Sequence, residues 1–198
     1  MSGKKVSLKI SSTILSPAPA VMVSCRGLEA PCDKDNIISI AMTSTLSTIP
    51  PLVHISIKDV RFSYLQIKQS MEYVINFAGE NLCYALDWCG IKSGKNVDKF
   101  AECQLTPEPI ANLSTARAIG ESPLSMGCRV IDIVKAGSYE VFVGEVVSVE
   151  ADPEILDGSR KPDFHKIALL SYTNGKYYTL GRHMGDLGFS GRAQAAAV

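Results

Sequence analysis

Three side chains whose types together suit a phosphate group lie close to one another in the sequence: Lys58, Arg61 and Ser63. They follow an apolar run whose alternation predicts a β-strand from Leu52 to Ile57, and they precede a predicted short helix. Two cations, a hydroxyl group and the amides at a helix N-terminus are groups that bind a phosphate. A lysine and an arginine at a strand end are also typical of a solvated surface, so the residue types alone leave both interpretations open.

The preceding run, from Asn36, predicts a strand with two different faces. The apolar face is expected to belong to the core and carries Ile38, Ile40 and Met42. The other face carries small side chains: Ser39, Ala41, Thr43 and Thr45. Pro50 and Pro51 then interrupt the strand, because neither has an N–H group to donate. A row of small side chains lets a flat ligand approach the backbone, which predicts a site for a phosphorylated planar cofactor. Packing of one sheet on another is the alternative.

These residues resemble the core motif of the flavin reductase-like family of FMN-binding split β-barrels, especially its flavoredoxin-like branch. The motif combines the small-residue strand, Pro50-Pro51, Lys58, Arg61 and Ser63-Tyr64. The resemblance extends from about Ser16 to about Ser190. Its further segments are Glu72 to Phe77, Asp87 to Phe100, Phe142 to Val147 and Tyr178 to Gly181. The block from Cys89 to Phe100 is the most specific of these.

The resemblance implies a mainly β fold, a six-stranded split β-barrel with a few short helices, and FMN as the cofactor. It places the phosphate at Lys58, Arg61 and Ser63. The residues that it assigns to the ring and the strand beside it are Asn36, Ser39, Ala41, Met42, Thr43 and Ser44. In the family the loop that matches 91–100 approaches the flavin, which adds Ser93, Lys95, Asp98 and Lys99 as second-rank candidates. Composition alone would favour a plain surface loop there.

The implied activity is that of an oxidoreductase that passes electrons from NAD(P)H through FMN to free flavin, ferric iron or a redox partner. The sequence contains no Gly-x-Ser-x-Gly nucleophile elbow, no Walker loop and no histidines at metal-ligand spacing. This absence is typical of flavoenzymes, in which the cofactor carries the redox chemistry. Two alternatives remain open: a flavoredoxin-type FMN electron carrier that does not react with NAD(P)H, and a non-catalytic barrel with another ligand.

Composition limits the classes of protein further. The 198 residues carry no formal net charge, which argues against non-specific nucleic-acid binding. No apolar run approaches the roughly 20 residues needed to cross a bilayer, and the first residues do not form a signal peptide, so a cytoplasmic protein is expected. The six cysteines include no Cys-x-x-Cys pair, and most of them are expected to be buried thiols. Cys89 stands out because it adjoins the loop that begins at Gly90.

The predicted organisation is an N-terminal segment over 1–15, one domain over 16–190 and a tail over 191–198, whose end at 195–198 is expected to be disordered. An edge strand is predicted at Val6 to Ile10, and Gly90 is predicted to end a helix. The turns at Lys135 to Ser138 and at Asn174-Gly175 predict hairpins. Three apolar strands exceed the needs of a small barrel interior: Val21 to Val23, Val53 to Ile57 and Val141 to Val149. This surplus, like the resemblance, predicts a homodimer.

Overall fold

A seven-stranded antiparallel sheet dominates the computed structural model, which describes residues 5–191. Positions 192–198, with the alanine-rich end expected to be disordered, lie outside the described residues. The strands are β1 (Ala18–Pro19), β2 (Val21–Cys25), β3 (Asn36–Ile40), β4 (Thr43–Thr48), β5 (Pro51–Ile57), β6 (Glu72–Phe77), β7 (Pro107–Glu108), β8 (Ala118–Ile119), β9 (Leu124–Ala136), β10 (Tyr139–Ala151), β11 (Leu170–Thr173) and β12 (Lys176–Thr179). The main sheet has the order β3-β2-β6-β9-β10-β5-β4. The helices are α1 (Phe62–Ser70), α2 (Cys83–Ile91) and α3 (Lys99–Glu102), with short 3-10 turns at Ser12–Ile14, Glu80–Leu82 and Pro153–Ile155.

The sheet closes on itself at one point. β3 and β4 lie at its opposite edges, although only Ala41 and Met42 separate them in the chain. Consecutive Cα atoms are about 3.8 Å apart, so this link spans at most about 11 Å. The two edges therefore meet at Ala41 and Met42, and the sheet forms a barrel. Its seven strands come from six extended runs of the sequence, because β3 and β4 are one run with a break.

The barrel interior is apolar and closely packed. Val23, Ile55, Tyr73 and Phe142 come from four different strands and are fully buried. A Cβ atom at Gly144 would collide with the Tyr73 hydroxyl group, so the absence of a side chain there lets the tyrosine ring reach β10. The register of β10 against β9 shifts beside Gly144, as at a β-bulge, which increases the twist that curls the sheet.

The outer face of β10 is less covered than the alternation of its valines suggests. Val141, Val143 and Val147 are half-buried and Val149 is exposed, whereas Phe142, between the first two, is buried. Val141 and Val143, which flank the buried Phe142, therefore point away from the barrel interior.

The helix that was predicted to end at Gly90 continues to Ile91, so that prediction is wrong. Gly90 serves the packing of α2 on β3. A Cβ atom at this position would lie 3.3 Å from the Cβ of Ser39, closer than an ordinary van der Waals contact. A glycine here allows close approach of helix and strand rather than a left-handed helix end.

Two further predictions are wrong. The segment from Val6 to Ile10 forms no strand and is part of none of the sheets in residues 5–191, and its apolar side chains are exposed. Met42 does not lie in the core: its side chain is 48% exposed. The break between β3 and β4 ends the alternation that had placed it with Ile38 and Ile40.

A small second sheet has the order β1-β11-β12. The Asn174-Gly175 turn joins β11 and β12, and both residues have positive φ (47° and 81°). This backbone is what a two-residue hairpin requires, so the predicted hairpin is confirmed. None of the helices in residues 5–191 combines the length and the apolar character needed to cross a membrane.

Candidate functional site

A basic cavity of about 300 Å³ lies where β5, α1 and the end of α2 meet. Its wall contains four cationic side chains and no acidic one: Lys58, Arg61, Lys92 and Lys99. Arg61 is the N-cap residue of α1, so the first amides of this nine-residue helix lie beside it. Its guanidinium group forms no ion pair with any other described residue. The cavity therefore presents uncompensated positive charge at a helix N-terminus, which is suited to an anion.

Asn36 and Ser63 form a buried pair behind this cavity. The Asn36 amide nitrogen donates to the Ser63 hydroxyl at 2.8 Å and to Gln66 Oε1 at 2.7 Å. Because the Ser63 oxygen accepts this bond, its own hydrogen can be donated either to the neighbouring Cys25 sulfur or to an acceptor in the cavity that Ser63 lines. Asn36 itself is 1% exposed, and its Oδ1 has no hydrogen-bond partner in the described structure. Asn36 thus orients Ser63 from behind.

Lys99 is a buried cation, 3% exposed, on the wall of the basic cavity. Its ammonium group donates to the backbone oxygens of Ile37 at 2.6 Å and of Cys89 at 2.7 Å. Burial lowers the pKa of Lys99. Two of the three ammonium hydrogens are used, so Lys99 ties the loop to β3 and α2 while adding positive potential to the cavity.

A small-residue cavity of about 200 Å³ adjoins the basic cavity and shares Ile38, Lys58, Arg61 and Gly90 with it. Ser39, Ala41, Met42, Ser56 and Tyr139 also line it. The Ser39 hydroxyl donates to the backbone oxygen of Leu86, so it fixes α2 against β3. Short side chains on both the strand and the helix keep this cavity open down to the backbone.

A third cavity, of about 420 Å³, continues from the small-residue cavity. The two share Ser39, Ile40, Ala41 and Gly90. Its far wall is formed by Tyr172 and Tyr177, whose rings lie 5.7 Å apart on the last hairpin. The Tyr177 hydroxyl donates to the Asp87 carboxylate at 3.0 Å. The three cavities form one cleft, basic at one end and aromatic at the other.

Nine of the predicted site residues surround this cleft. Ser39, Ala41, Met42, Lys58, Arg61, Ser63, Ser93 and Lys99 line it, and Asn36 lies directly behind it.

Four predicted site residues do not line the cleft. Thr43 donates to the His54 backbone oxygen at 2.6 Å, and the Ser44 hydroxyl lies 3.1 Å from His54 Nε2, because β4 turns away after Met42 to pair with β5. Lys95 is exposed to solvent. Asp98 is the N-cap of α3 and accepts from the Ala101 amide at 3.1 Å. Their part in binding a cofactor remains a prediction.

The sequence reasoning missed several residues of the cleft wall. Lys92 follows α2 directly, and its charge beside Gly90 was a local signal. Tyr139 gave no such signal. It begins β10, and the pairing of Glu140 with Ile57 brings it beside Lys58, whose ammonium lies 5.2 Å from the ring centroid. Tyr172 and Tyr177 come from a hairpin about 80 residues further along the chain than α2. Only the tertiary fold brings them to the cleft.

Comparison with known proteins identifies the family of the chain. The sequence model of the flavin reductase like domain matches residues 14–181. The chain belongs to this family.

Two solved structures resemble the whole fold. Flavoredoxin of Desulfovibrio vulgaris (Miyazaki F) superposes with a TM-score of 0.87 at 25% sequence identity, over 95% of this chain and 100% of that one. Flavoredoxin from Methanosarcina acetivorans gives a TM-score of 0.84 at 23% identity, over 96% and 100% of the two chains. The mainly β, split-barrel fold expected from the sequence is confirmed.

One curated relative has an assigned activity. It is the reductase component of 4-nitrophenol 4-monooxygenase/4-nitrocatechol 2-monooxygenase from Rhodococcus opacus. It is 24% identical to this chain over 142 residues, which are 70% of this chain and 64% of the relative. The chain is therefore similar both to proteins described as flavoredoxins and to a protein described as the reductase component of a monooxygenase.

Proposed function

We propose that this chain binds FMN in the cleft and acts as an oxidoreductase that passes electrons from NAD(P)H through FMN to a flavin, ferric iron or a redox partner. The observation that carries the proposal is the junction of two cavities. A basic cavity at a helix N-terminus opens directly into a small-residue cavity between a strand and a helix. A phosphorylated ring system needs these two environments side by side.

The residues present fit the phosphate of FMN. Arg61 has no ion-pair partner among the described residues, and Lys58 and Lys92 share the same wall. The phosphate carries between one and two negative charges at neutral pH and accepts several hydrogen bonds. In the proposed complex Arg61 and Lys58 bind it, and Ser63, oriented by Asn36, donates a hydrogen bond.

The residues also fit a flat ring. The wall at Ser39, Ala41 and Gly90 consists of small side chains, and Tyr139 lies across the same cavity. Ala41 and Met42 fall at the break between β3 and β4, where backbone groups are not all used by the sheet; in the proposed complex these groups meet the polar edge of the ring. FMN, when bound, supplies the redox chemistry by accepting hydride and passing electrons on. The chain binds FMN, orients it and excludes water from one face.

The second candidate is an FMN electron carrier that does not react with NAD(P)H. Full-length similarity to two flavoredoxins favours it. The third cavity favours the enzyme, because it offers space beside the proposed ring position for a second molecule. For either function, the expected location of the protein is the cytoplasm.

A homodimer is part of the proposal. The outer face of the barrel exposes Ile131, Val134 and Val149 by 52%, 47% and 57%, next to the half-buried valines of β10. Exposed apolar side chains on two neighbouring strands are typical of an interface, and a two-fold dimer is the commonest way to bury them.

Two measurements test the function. The purified protein should show the visible absorption bands of bound flavin, and their absence after reconstitution with FMN would refute FMN binding. Anaerobic rapid mixing of the FMN-loaded protein with NADH or NADPH should bleach these bands within seconds. Bleaching by dithionite but by neither nicotinamide would reject the enzyme and support the carrier.

A further inference from the structure

Two thiols meet beside the basic cavity. Cys89 lies in the last turn of α2, and Cys103 is the residue that follows α3. Their sulfur atoms are 3.9 Å apart, and no other pair of cysteines in residues 5–191 makes such a contact. Sulfur atoms in a disulfide are about 2.05 Å apart, so a rearrangement of about 2 Å would join them.

Lys99 holds the two cysteine segments together. Its backbone oxygen accepts from the Cys103 amide at 3.2 Å, and its ammonium group donates to the Cys89 backbone oxygen at 2.7 Å. The segment between the cysteines, residues 90–102, contributes Gly90, Lys92 and Lys99 to the cavity wall. The thiols therefore lie at the two ends of a wall segment whose closure depends on hydrogen bonds.

We propose that Cys89 and Cys103 form a reversible modification site, at which hydrogen peroxide converts the two thiols into a disulfide that closes residues 90–102 into a covalent loop and orders the wall of the basic cavity. The disulfide itself depends only on the two thiols. Its effect on FMN rests on the proposed function.

The reaction balances within the pair. Cys103 is half-buried and Cys89 is buried, so peroxide reaches Cys103 first. The Cys103 sulfur attacks one peroxide oxygen, the O–O bond breaks, and a sulfenic acid and one water result. The Cys89 sulfur then attacks the sulfenic sulfur, the S–O bond breaks, and the second water leaves as the S–S bond forms. A dithiol reagent reverses the step by thiol–disulfide exchange.

The environment makes this a slow reaction at neutral pH. Burial raises the pKa of Cys89 to about 12 and also raises the pKa of Cys103. Since the thiolate is the nucleophile, the rate of disulfide formation should increase as the pH rises.

Mass spectrometry tests the bond. The purified protein is treated with hydrogen peroxide, its remaining thiols are alkylated, and the digest is searched for a peptide that joins Cys89 to Cys103. The joined peptide should form in the wild type and in the control variant Cys83→Ser, which changes the half-buried thiol at the first residue of α2. It should be absent from Cys103→Ser. Over-oxidised Cys103 with alkylated Cys89, or a bond from Cys83 to Cys103, would overturn the proposal.

Limited proteolysis tests the ordering without any cofactor. Trypsin cleavage after Lys92 and Lys95 should slow by about fivefold in the peroxide-treated protein, because the closed loop opens less often. Dithiothreitol should restore the rate, and Cys103→Ser should not respond to peroxide. Equal cleavage rates in both forms would overturn the ordering.

FMN titration separates this inference from the proposed function. The oxidised protein should bind FMN about fivefold more tightly than the reduced protein, because the wall is already ordered. A dissociation constant that does not fall on oxidation would refute the link between the disulfide and the cavity. Loss of FMN binding in both forms would refute the proposed function and leave the disulfide to the other two measurements.

Discussion

Replacement of Arg61 by alanine is the sharpest test of the phosphate assignment. The Arg61 side chain is exposed and lines both the basic and the small-residue cavity. Because it has no ion-pair partner within residues 5–191, its removal leaves no buried charge unpaired, and the fold should be unaffected. The change in binding then measures the contact with the ligand alone.

The expected loss follows from the strength of a charge-assisted hydrogen bond. Such a bond contributes about 1.5 to 3 kcal/mol, and solvent screening favours the lower part of this range for an exposed side chain. Since each 1.4 kcal/mol is about tenfold in affinity, Arg61→Ala should weaken FMN binding by roughly ten- to a hundredfold. Riboflavin lacks the phosphate, so its affinity should change by less than about twofold on the same grounds.

Fluorescence titration of the apoprotein with FMN and with riboflavin measures both effects. Lys68→Ala is the matched control, because Lys68 is an exposed cation of the same helix that does not line the cleft and lies 3.8 Å from Glu140. It should leave both affinities unchanged. If Arg61→Ala weakens FMN and riboflavin equally, or weakens neither, Arg61 does not bind the phosphate.

Three further predictions concern the ring site, the assembly and the stability of the barrel. Ala41→Leu should yield a folded but colourless protein, because the larger side chain fills the small-residue cavity; a folded variant that purifies yellow would reject the ring assignment. Light scattering should give twice the chain mass of 21.3 kDa, and truncation after Leu180 should weaken FMN binding, because in the proposed dimer the segment around Tyr178 to Phe189 completes the partner's site; a stable monomer with full FMN affinity would show that one chain builds the site. Glu72→Gln should lower the free energy of unfolding by about 1 to 3 kcal/mol at neutral pH. Burial raises the pKa of the Glu72 carboxyl, but hydrogen bonds from the Thr115, Ser114 and Ala116 amides outweigh it and lower the pKa below 4.5. This stabilisation is present above the unfolded-state pKa and is lost as the pH falls through the folded-state pKa, so the difference between the two proteins in urea titrations should shrink as the pH falls below 4.5 and disappear once it is below the folded-state pKa; a difference that does not vary with pH would show that the carboxylate charge is not its source.

Local patterns in the sequence were sufficient for β5 and the last hairpin. The alternation of Val53, Ile55 and Ile57 corresponds to buried side chains, and Asn174-Gly175 forms the expected turn. These features depend on neighbours within a few residues, which a sequence pattern contains. Asp98 also had a local signal for its structural role, since aspartate before a helical run is typical of an N-cap.

The features that could not be predicted depend on distant contacts. Gly90 allows α2 to pack closely on Ser39 of β3, and nothing in the sequence of the helix itself indicates that contact. Met42 is exposed because the barrel closes beside it. Tyr139 reaches the cleft only through the pairing of β10 with β5, which are more than 80 residues apart in the chain. The resemblance to a known family supplied the cofactor, which the residue pattern alone did not determine.

Because the barrel closes at Ala41 and Met42, which also line the proposed binding site, ligand binding should be coupled to the stability of the fold. A ligand that contacts both β3 and β4 bridges the two edges of the sheet and opposes their separation. In the apoprotein, the place where β3 and β4 meet should therefore be the first part of the barrel to open. A free FMN concentration of 100 times the dissociation constant adds about 2.7 kcal/mol to the free energy of unfolding. Amide hydrogen exchange of β3 and β4 should therefore slow with added FMN, while exchange of the β9–β10 hairpin should follow global unfolding. The bound cofactor would stabilise the closed barrel as well as serve as its redox centre.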